Sequence, residues 1–372
     1  MIAKELQQLS DEVEELIRKG GPDEQTFESL ALRIHTAQCA QLDAVAHLSR
    51  LQGKEPGELK HSSEIPAVPV AAFKRYDLFA GHSPLKTFRS SGTTGSATSC
   101  AHYSGTGLEL MDAAIEVNAR RMLFPDGRCT RILVLAPSPQ VAPAMIMAYG
   151  MSRLIELFGL PGSRFVYEPK SPSPAPVVEA LSEAAAQNIP VTLIGASFGL
   201  VHLLDYMAAR GLRLTLPEGS RTMDAGGFKG RSREISPEAM RATISERLGV
   251  DPPAVINLLG MTELPSQLYD DDLAAYHERR PPLHGKRVPP WMRASVLDPQ
   301  DLNPCAPGEP GLLRYIDLAN VERPLAILSD DLGMCAEDGG ITVLGRADRS
   351  NLRGCSLSLE EWGAALREKE SL

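Results

Sequence analysis

The feature that most limits the fold is an alternation of short apolar runs with helical patterns between residues 86 and 259. Strands are expected at Lys86–Arg89, Arg131–Ala136, Arg164–Tyr167, Val191–Ile194, Arg213–Leu216 and Ala254–Leu259. Helices are expected at 107–122, 142–158, 175–187, 199–210 and 237–248. Strands that alternate with helices imply a mainly parallel sheet covered by helices, because parallel neighbours need a crossover connection and a helix supplies it. One helix start is explicit: Ser236-Pro237-Glu238 offers a capping hydroxyl followed by a first-turn proline.

Residues 1–50 read as two helices. Leu6, Leu9, Val13, Leu16 and Ile17 recur at helical spacing until Gly20-Gly21-Pro22 stops the run, and Phe27, Leu30, Ile34, Ala37 and Val45 mark the second helix. Residues 52–69 are rich in Gly, Pro and Ser and read as a loop. After Arg280-Pro281-Pro282-Leu283-His284-Gly285 the pattern changes to short strand-like pieces, Gly311–Ile316, Leu325–Leu328 and Ile341–Leu344, with no long helix before the last residues. The expected architecture is α/β: a large domain over 1–279 with mainly parallel sheets flanked by helices, a small β-rich subdomain over 280–344, and a hinge with a short tail over 345–372.

Net charge narrows the partners. At −9 over 372 residues, the chain lacks the basic excess that favours nucleic acid or an anionic membrane surface. No apolar run approaches the roughly 18 residues of a membrane span, and the charged N-terminus MIAKELQQLSDEVEELIRKG is not a signal peptide. The six cysteines include no C-x-x-C pair, so a zinc ribbon is not expected, and a reducing cytoplasmic setting with free thiols is.

The densest chemical signal is Ser90-Ser91-Gly92-Thr93-Thr94-Gly95-Ser96, directly after a strand. Its glycines let successive N–H groups converge on an anion, and its hydroxyls add donors, which suits a polyphosphate. A flexible Ser/Gly linker would share the composition, but the preceding strand and the patterned surroundings argue for a built loop. The spacing is neither a Walker loop nor a dinucleotide fingerprint.

Ser91-Gly92-Thr93-Thr94-Gly95 resembles the phosphate-binding signature of the adenylate-forming superfamily, although Ala97-Thr98 stand where that signature has Pro-Lys. Further segments resemble the superfamily's, in its order. Asp224-Ala225-Gly226-Gly227 is similar to its adenine-binding turn before a helix. Leu259-Gly260-Met261-Thr262-Glu263 is similar to its aromatic-Gly-x-Thr-Glu segment, with Leu259 in the aromatic's place. Ser329-Asp330-Asp331-Leu332-Gly333 and Gly345-Arg346-Ala347-Asp348 resemble its ribose-binding segment and its hinge. The resemblance implies ATP and Mg2+: Ser91 to Ser96 and Thr262 at the phosphates; Glu263 at Mg2+; Gly226 and Gly227 at adenine; Asp331 and Arg346 at ribose; and Gly260 among the nucleotide-binding residues.

Superfamily members continue for roughly a hundred residues past the hinge, into a domain that carries a catalytic lysine, whereas this sequence runs 24 residues past Asp348. That difference points to the acyl-protein synthetase family, the acid-activating component of bacterial fatty-acid reductase, which the chain resembles from about residue 60 onward. Ile65-Pro66-Ala67-Val68-Pro69-Val70, Phe73-Lys74 and Gly226-Gly227-Phe228-Lys229 also resemble it. The resemblance makes Cys355, in Arg-Gly-Cys-Ser-Leu, the acyl acceptor, and Arg349 and Arg353 nearby would favour its thiolate. Lys229 is the candidate cation in place of the absent domain's lysine. The implied substrate is a carboxylic acid, and the implied partner is an acyl reductase. Alternatives remain open: a coenzyme A ligase of the phenylacetate-ligase kind, a nucleotide-binding scaffold without turnover, and a serine acyltransferase using Gly195-Ala196-Ser197-Phe198-Gly199, which also resembles the superfamily's acyl-pocket segment.

Overall fold

The computed structural model describes residues 2–81, 83–90, 98–167, 173–226 and 232–347. In chain order the elements are α1 (Ile2–Arg18), α2 (Glu24–Cys39), α3 (Asp43–Leu51), β1 (Val68–Pro69), β2 (Lys86–Arg89), β3 (Cys100–Tyr103), α4 (Gly105–Met122), β4 (Arg131–Leu135), α5 (Ile146–Phe158), β5 (Arg164–Phe165), α6 (Ala175–Ala186) and β6 (Val191–Ala196). Then follow α7 (Ser197–Ala209), β7 (Arg221–Ala225), α8 (Pro237–Leu248), β8 (Val255–Leu259), β9 (Leu268–Asp270), α9 (Asp272–Glu278), β10 (Lys286–Arg287), β11 (Met292–Leu297), β12 (Gly311–Asp317), β13 (Ala326–Cys335) and β14 (Ile341–Arg346). Among the described residues no helix is long and apolar enough to cross a membrane.

The chain forms two compact units. The first comprises Met1–Val117, Met261–Gln267 and His284–Leu372. Its antiparallel strands run in the order β11-β12-β13-β14-β10, and β1 lies parallel beside β13 with Val68 opposite Ile327. A separate hairpin pairs β2 with β3. The apolar stripes of α1 and α2 explain why the N-terminal residues belong here. Leu9, Val13, Phe27 and Ile34 share one buried cluster with Trp291, Ile316, Val321 and Leu325. Burial of such side chains contributes roughly 1.5–3 kcal/mol each, so the helices are bound into this core. This grouping differs from the expected 1–279 domain, which joined the N-terminal helices to the parallel sheet.

The second unit comprises Asn118–Gly260 and Leu268–Leu283. Its strands lie in the order β5-β4-β6-β7-β8-β9, parallel except for β9. Helices α5 and α6 pack on β4, α7 on β6 and β7, and α8 on β8. Ser236 caps α8 by accepting from the Ala239 N–H, with Pro237 in the first turn and Gly249 closing the helix at a φ of 66°.

Three sequence expectations are corrected. Residues 24–51 form two helices, interrupted at Ala40-Gln41-Leu42, rather than one. Arg213–Leu216 joins no sheet: the Leu214 and Leu216 N–H groups donate to Arg247 and Leu248 carbonyls at the end of α8. The strand beside β6 is instead β7, so Asp224 and Ala225 end a strand, and the next helix among the described residues starts at Pro237.

Candidate active site

In the first unit the phosphate-loop candidate is the connection of the β2–β3 hairpin, whose register sets Lys86 opposite Tyr103 and Arg89 opposite Cys100. Its neck is closed from both sides. The Ser90 N–H donates to the Ser99 carbonyl at 3.0 Å, and the Ser99 N–H donates to Ser90 Oγ at 3.0 Å. Ser91 to Ser96 themselves lie outside the described residues.

The Ser99 hydroxyl reaches the Glu263 carboxylate. Glu263 is only 3% exposed. Burial pushes its carboxyl above the ordinary range, while the Ser99 hydrogen bond and then the charges of Arg346 and Lys74 pull it down. A buried carboxylate in that position suits a cation. Among the described residues no three His, Cys, Asp or Glu side chains cluster to hold a metal. Mg2+ takes one or two carboxylates and fills its remaining positions with water and phosphate oxygens, and Glu263 is a single buried carboxylate of the kind such a site uses.

Side chains that the sequence does not announce hold Glu263 in place. Asn320 Nδ2 donates to the Glu263 main-chain carbonyl at 3.1 Å, and Asn320 Oδ1 accepts from Arg323 at 2.7 Å. Arg323 also donates to the His102 carbonyl of β3 at 3.1 Å, and its guanidinium lies 3.6 Å from the Tyr103 ring centre. The hairpin and the Glu263 segment thus share one arginine. From α2, the buried Gln38 amide donates to the Asn320 and Arg323 carbonyls at 2.6 and 2.5 Å and accepts from the Leu325 N–H at 3.0 Å. Asp317 accepts from both the N–H and the hydroxyl of Ser266, at 3.1 and 2.9 Å, and Trp291 Nε1 donates to the same hydroxyl at 2.9 Å. Thr262, beside Glu263, is buried as well.

Asp331 and Arg346 face each other across β13 and β14 as register partners, with Arg346 Nε 3.7 Å from Asp331 Oδ1. The Asp331 carboxyl is raised by burial and lowered by Arg346. Arg346 is exposed, so the pair offers a carboxylate and a guanidinium to a ligand.

In the second unit, Gly226 follows β7 at a φ of 76°, a conformation that favours glycine. Asp224, near the end of β7, accepts from Ser197 Oγ at 2.6 Å and from Asn257 Nδ2 at 2.9 Å. These groups lie at the carboxyl ends of parallel strands, where open α/β sheets bind ligands. Gly260 ends the first span of this unit, one residue after β8. Gly227, Lys229 and Cys355 lie outside the described residues. Of the other cysteines, all described, Cys129 is exposed and the rest are partly buried, none of them bonded in a disulfide.

Residues 56–363 match the family described as acyl-protein synthetase, LuxE. The chain belongs to the LuxE acyl-protein synthetase family. The matched span contains Ser91 to Ser96, Lys229, Glu263 and Cys355. Two curated relatives are long-chain-fatty-acid–luciferin-component ligases. The one from Vibrio harveyi is 24% identical over 179 residues, covering 46% of this chain and 45% of the relative. That from Aliivibrio fischeri is 27% identical over 179 residues, covering 45% of each. The matches therefore span less than half the length of these curated relatives. Among solved structures, 2-hydroxyisobutyryl-CoA ligase in complex with 2-HIB-AMP and CoA shares the fold at a TM-score of 0.64 and 15% identity, over 89% of this chain and 70% of that one. The LuxE-family chain thus shares the α/β fold of that ligase.

Proposed function

We propose that this LuxE-family chain activates a carboxylic acid, of the fatty-acid class, with ATP and then carries the acyl group on Cys355 for delivery to a partner. The acid's carboxylate oxygen attacks the α-phosphorus of ATP. The bond to the β-phosphate oxygen breaks, pyrophosphate leaves, and acyl-AMP remains. The Cys355 thiolate then attacks the acyl carbonyl, AMP leaves with the electron pair of the C–O bond, and a thioester forms.

The observation that carries this reading is the Ser99 hydroxyl on the buried Glu263 carboxylate, which joins the neck of a Ser/Gly-rich hairpin loop to a cation-seeking acid. In this reading Ser91 to Ser96 and Thr262 hold phosphate oxygens, Glu263 holds Mg2+, Asp331 and Arg346 take the ribose hydroxyls, Gly226 and Gly227 border adenine, and Lys229 offsets charge on the phosphorus. Mg2+ would supply charge neutralisation on the phosphates. The protein's own contribution is preorganisation: Asn320, Arg323 and Gln38 fix the Glu263 backbone before ligand arrives. The partner would be an acyl-accepting reductase, and the setting the cytoplasm.

The test is covalent labelling. ATP, Mg2+ and a radiolabelled acid, without coenzyme A, should leave hydroxylamine-labile label on the protein. Cys355→Ser should abolish the label while pyrophosphate release continues. Label retained on the variant would rule out Cys355 as acceptor, and no pyrophosphate release from a panel of acids of varied chain length would rule out adenylation.

A further inference from the structure

Ser197 stands where β6 passes into α7, the strand–turn–helix placement of a nucleophilic serine. Its surroundings describe a different role. The side chain is buried, its hydroxyl donates to Asp224 Oδ2 at 2.6 Å, and the Gly226 carbonyl oxygen lies 2.7 Å from the same hydroxyl. Asn257 donates to that carboxylate oxygen at 2.9 Å. In the parallel ladders Gly195 is opposite Asp224 and Asp224 is opposite Asn257. Three neighbouring strands therefore meet in one polar cluster, and the cluster ends on the carbonyl of Gly226.

We propose that Ser197 is a positioning residue whose hydroxyl, anchored on Asp224, ties down the Gly226 turn so that it is preformed for the adenine of ATP. The inference rests on the adenylating reading and assigns the serine to one part of the nucleotide. Gly226 is exposed, has a positive φ, and has no described atom within 4 Å of where a Cβ would stand. Glycine has backbone conformations open to it that are closed to other residues, so fixing one of them costs more than at other residues. Ordering it on binding would reduce affinity, and a tether present beforehand removes that cost. A nucleophilic serine gives its proton to a base as its oxygen attacks. Here Ser197 is 3% exposed and its hydroxyl proton is directed to Asp224 and the Gly226 carbonyl, so its oxygen is not presented to a substrate. The effect of Ser197 therefore belongs to nucleotide affinity rather than to acyl transfer.

The experiment uses the full chain, with ATP binding measured by calorimetry and pyrophosphate release measured with the best acid of a chain-length panel. Ser197→Ala should raise both Kd and KM for ATP about tenfold, the size of one lost hydrogen bond to a charged group. kcat and the KM for the acid should stay within about twofold, on the scale of a tenfold step per 1.4 kcal/mol. Ser197→Thr, which keeps the hydroxyl, should return ATP affinity towards wild type. Should Ser197→Ala fail to fold, Ser197→Val and Asn257→Ala supply the same comparison, each weakening ATP binding while kcat is kept. ATP affinity equal to wild type in the folded variants would overturn the proposal, as would a fall in kcat at unchanged affinity. Wild-type protein that binds no ATP would instead defeat the adenylating reading itself.

Discussion

A carboxylate that is 3% exposed is costly to ionise, and Glu263 has the Ser99 hydroxyl, its own main-chain N–H and the charges of Arg346 and Lys74 to offset that cost. Its carboxyl nevertheless stays above the ordinary range because burial is the largest influence. A group kept at such a cost serves a ligand's charge better than it serves the fold. Glu263→Gln removes the charge and leaves an amide oxygen to accept from Ser99. The variant should unfold at the same temperature as wild type or higher, because replacing a buried charge relieves desolvation. Pyrophosphate release should fall by roughly 100-fold, the scale of losing one preorganised electrostatic contact. Thermal unfolding monitored by fluorescence and a pyrophosphate assay check the two halves separately, and a lower unfolding temperature would make Glu263 a structural acid.

At the scale of elements, the β2–β3 hairpin depends on its neck. Ser90→Ala removes the acceptor of the Ser99 N–H and leaves that donor without its bond. The expected cost is about 1 kcal/mol of local stability. It should be read as faster exchange at the Ser99 amide and a several-fold higher KM for ATP, and unchanged exchange would show that the main-chain bond alone closes the loop. This hairpin's first strand was legible because Lys86–Arg89 precedes a glycine-rich break. β7 was not. Its residues Arg221, Thr222 and Asp224 are polar, although a central parallel strand ordinarily reads as a continuous apolar run. The structure satisfies the two charged ones: Arg221 donates to the Leu123 carbonyl at 2.6 Å and pairs with Asp126 at 2.8 Å, and Asp224 accepts from Ser197 and Asn257. Arg213–Leu216 misled for the opposite reason. It alternates like a strand, but its N–H groups cap the end of α8.

Over the whole molecule, the candidate residues Thr262, Glu263, Asp331 and Arg346 can be picked out of the sequence by their local motifs, whereas the side chains that fix the Glu263 segment cannot. Gln38, Asn320, Arg323 and Asp317 act on partners far away in sequence, and no local spacing marks a buried amide or acid of that kind. Asp317 shows what such a group does to the stability of the chain. It is fully buried, and burial outweighs the Ser266 and Ala319 donors and the Arg323 charge, so its pKa is pushed up to about 6. An unfolded aspartate titrates near 3.9. Between those values the folded chain holds a proton that the unfolded chain has released, so stability falls as pH rises. The contribution is fully present below the unfolded value and is lost as pH climbs through about 6. A shift of about two units corresponds to roughly 3 kcal/mol. Asp317→Asn cannot titrate. The urea midpoint of wild type should therefore drop relative to the variant between pH 4.5 and 7.5, on the scale of about 2 kcal/mol, the remainder being lost already below pH 4.5. A difference that stays constant across that window would mean that Asp317 is ionised throughout, held by its donors rather than neutralised by burial.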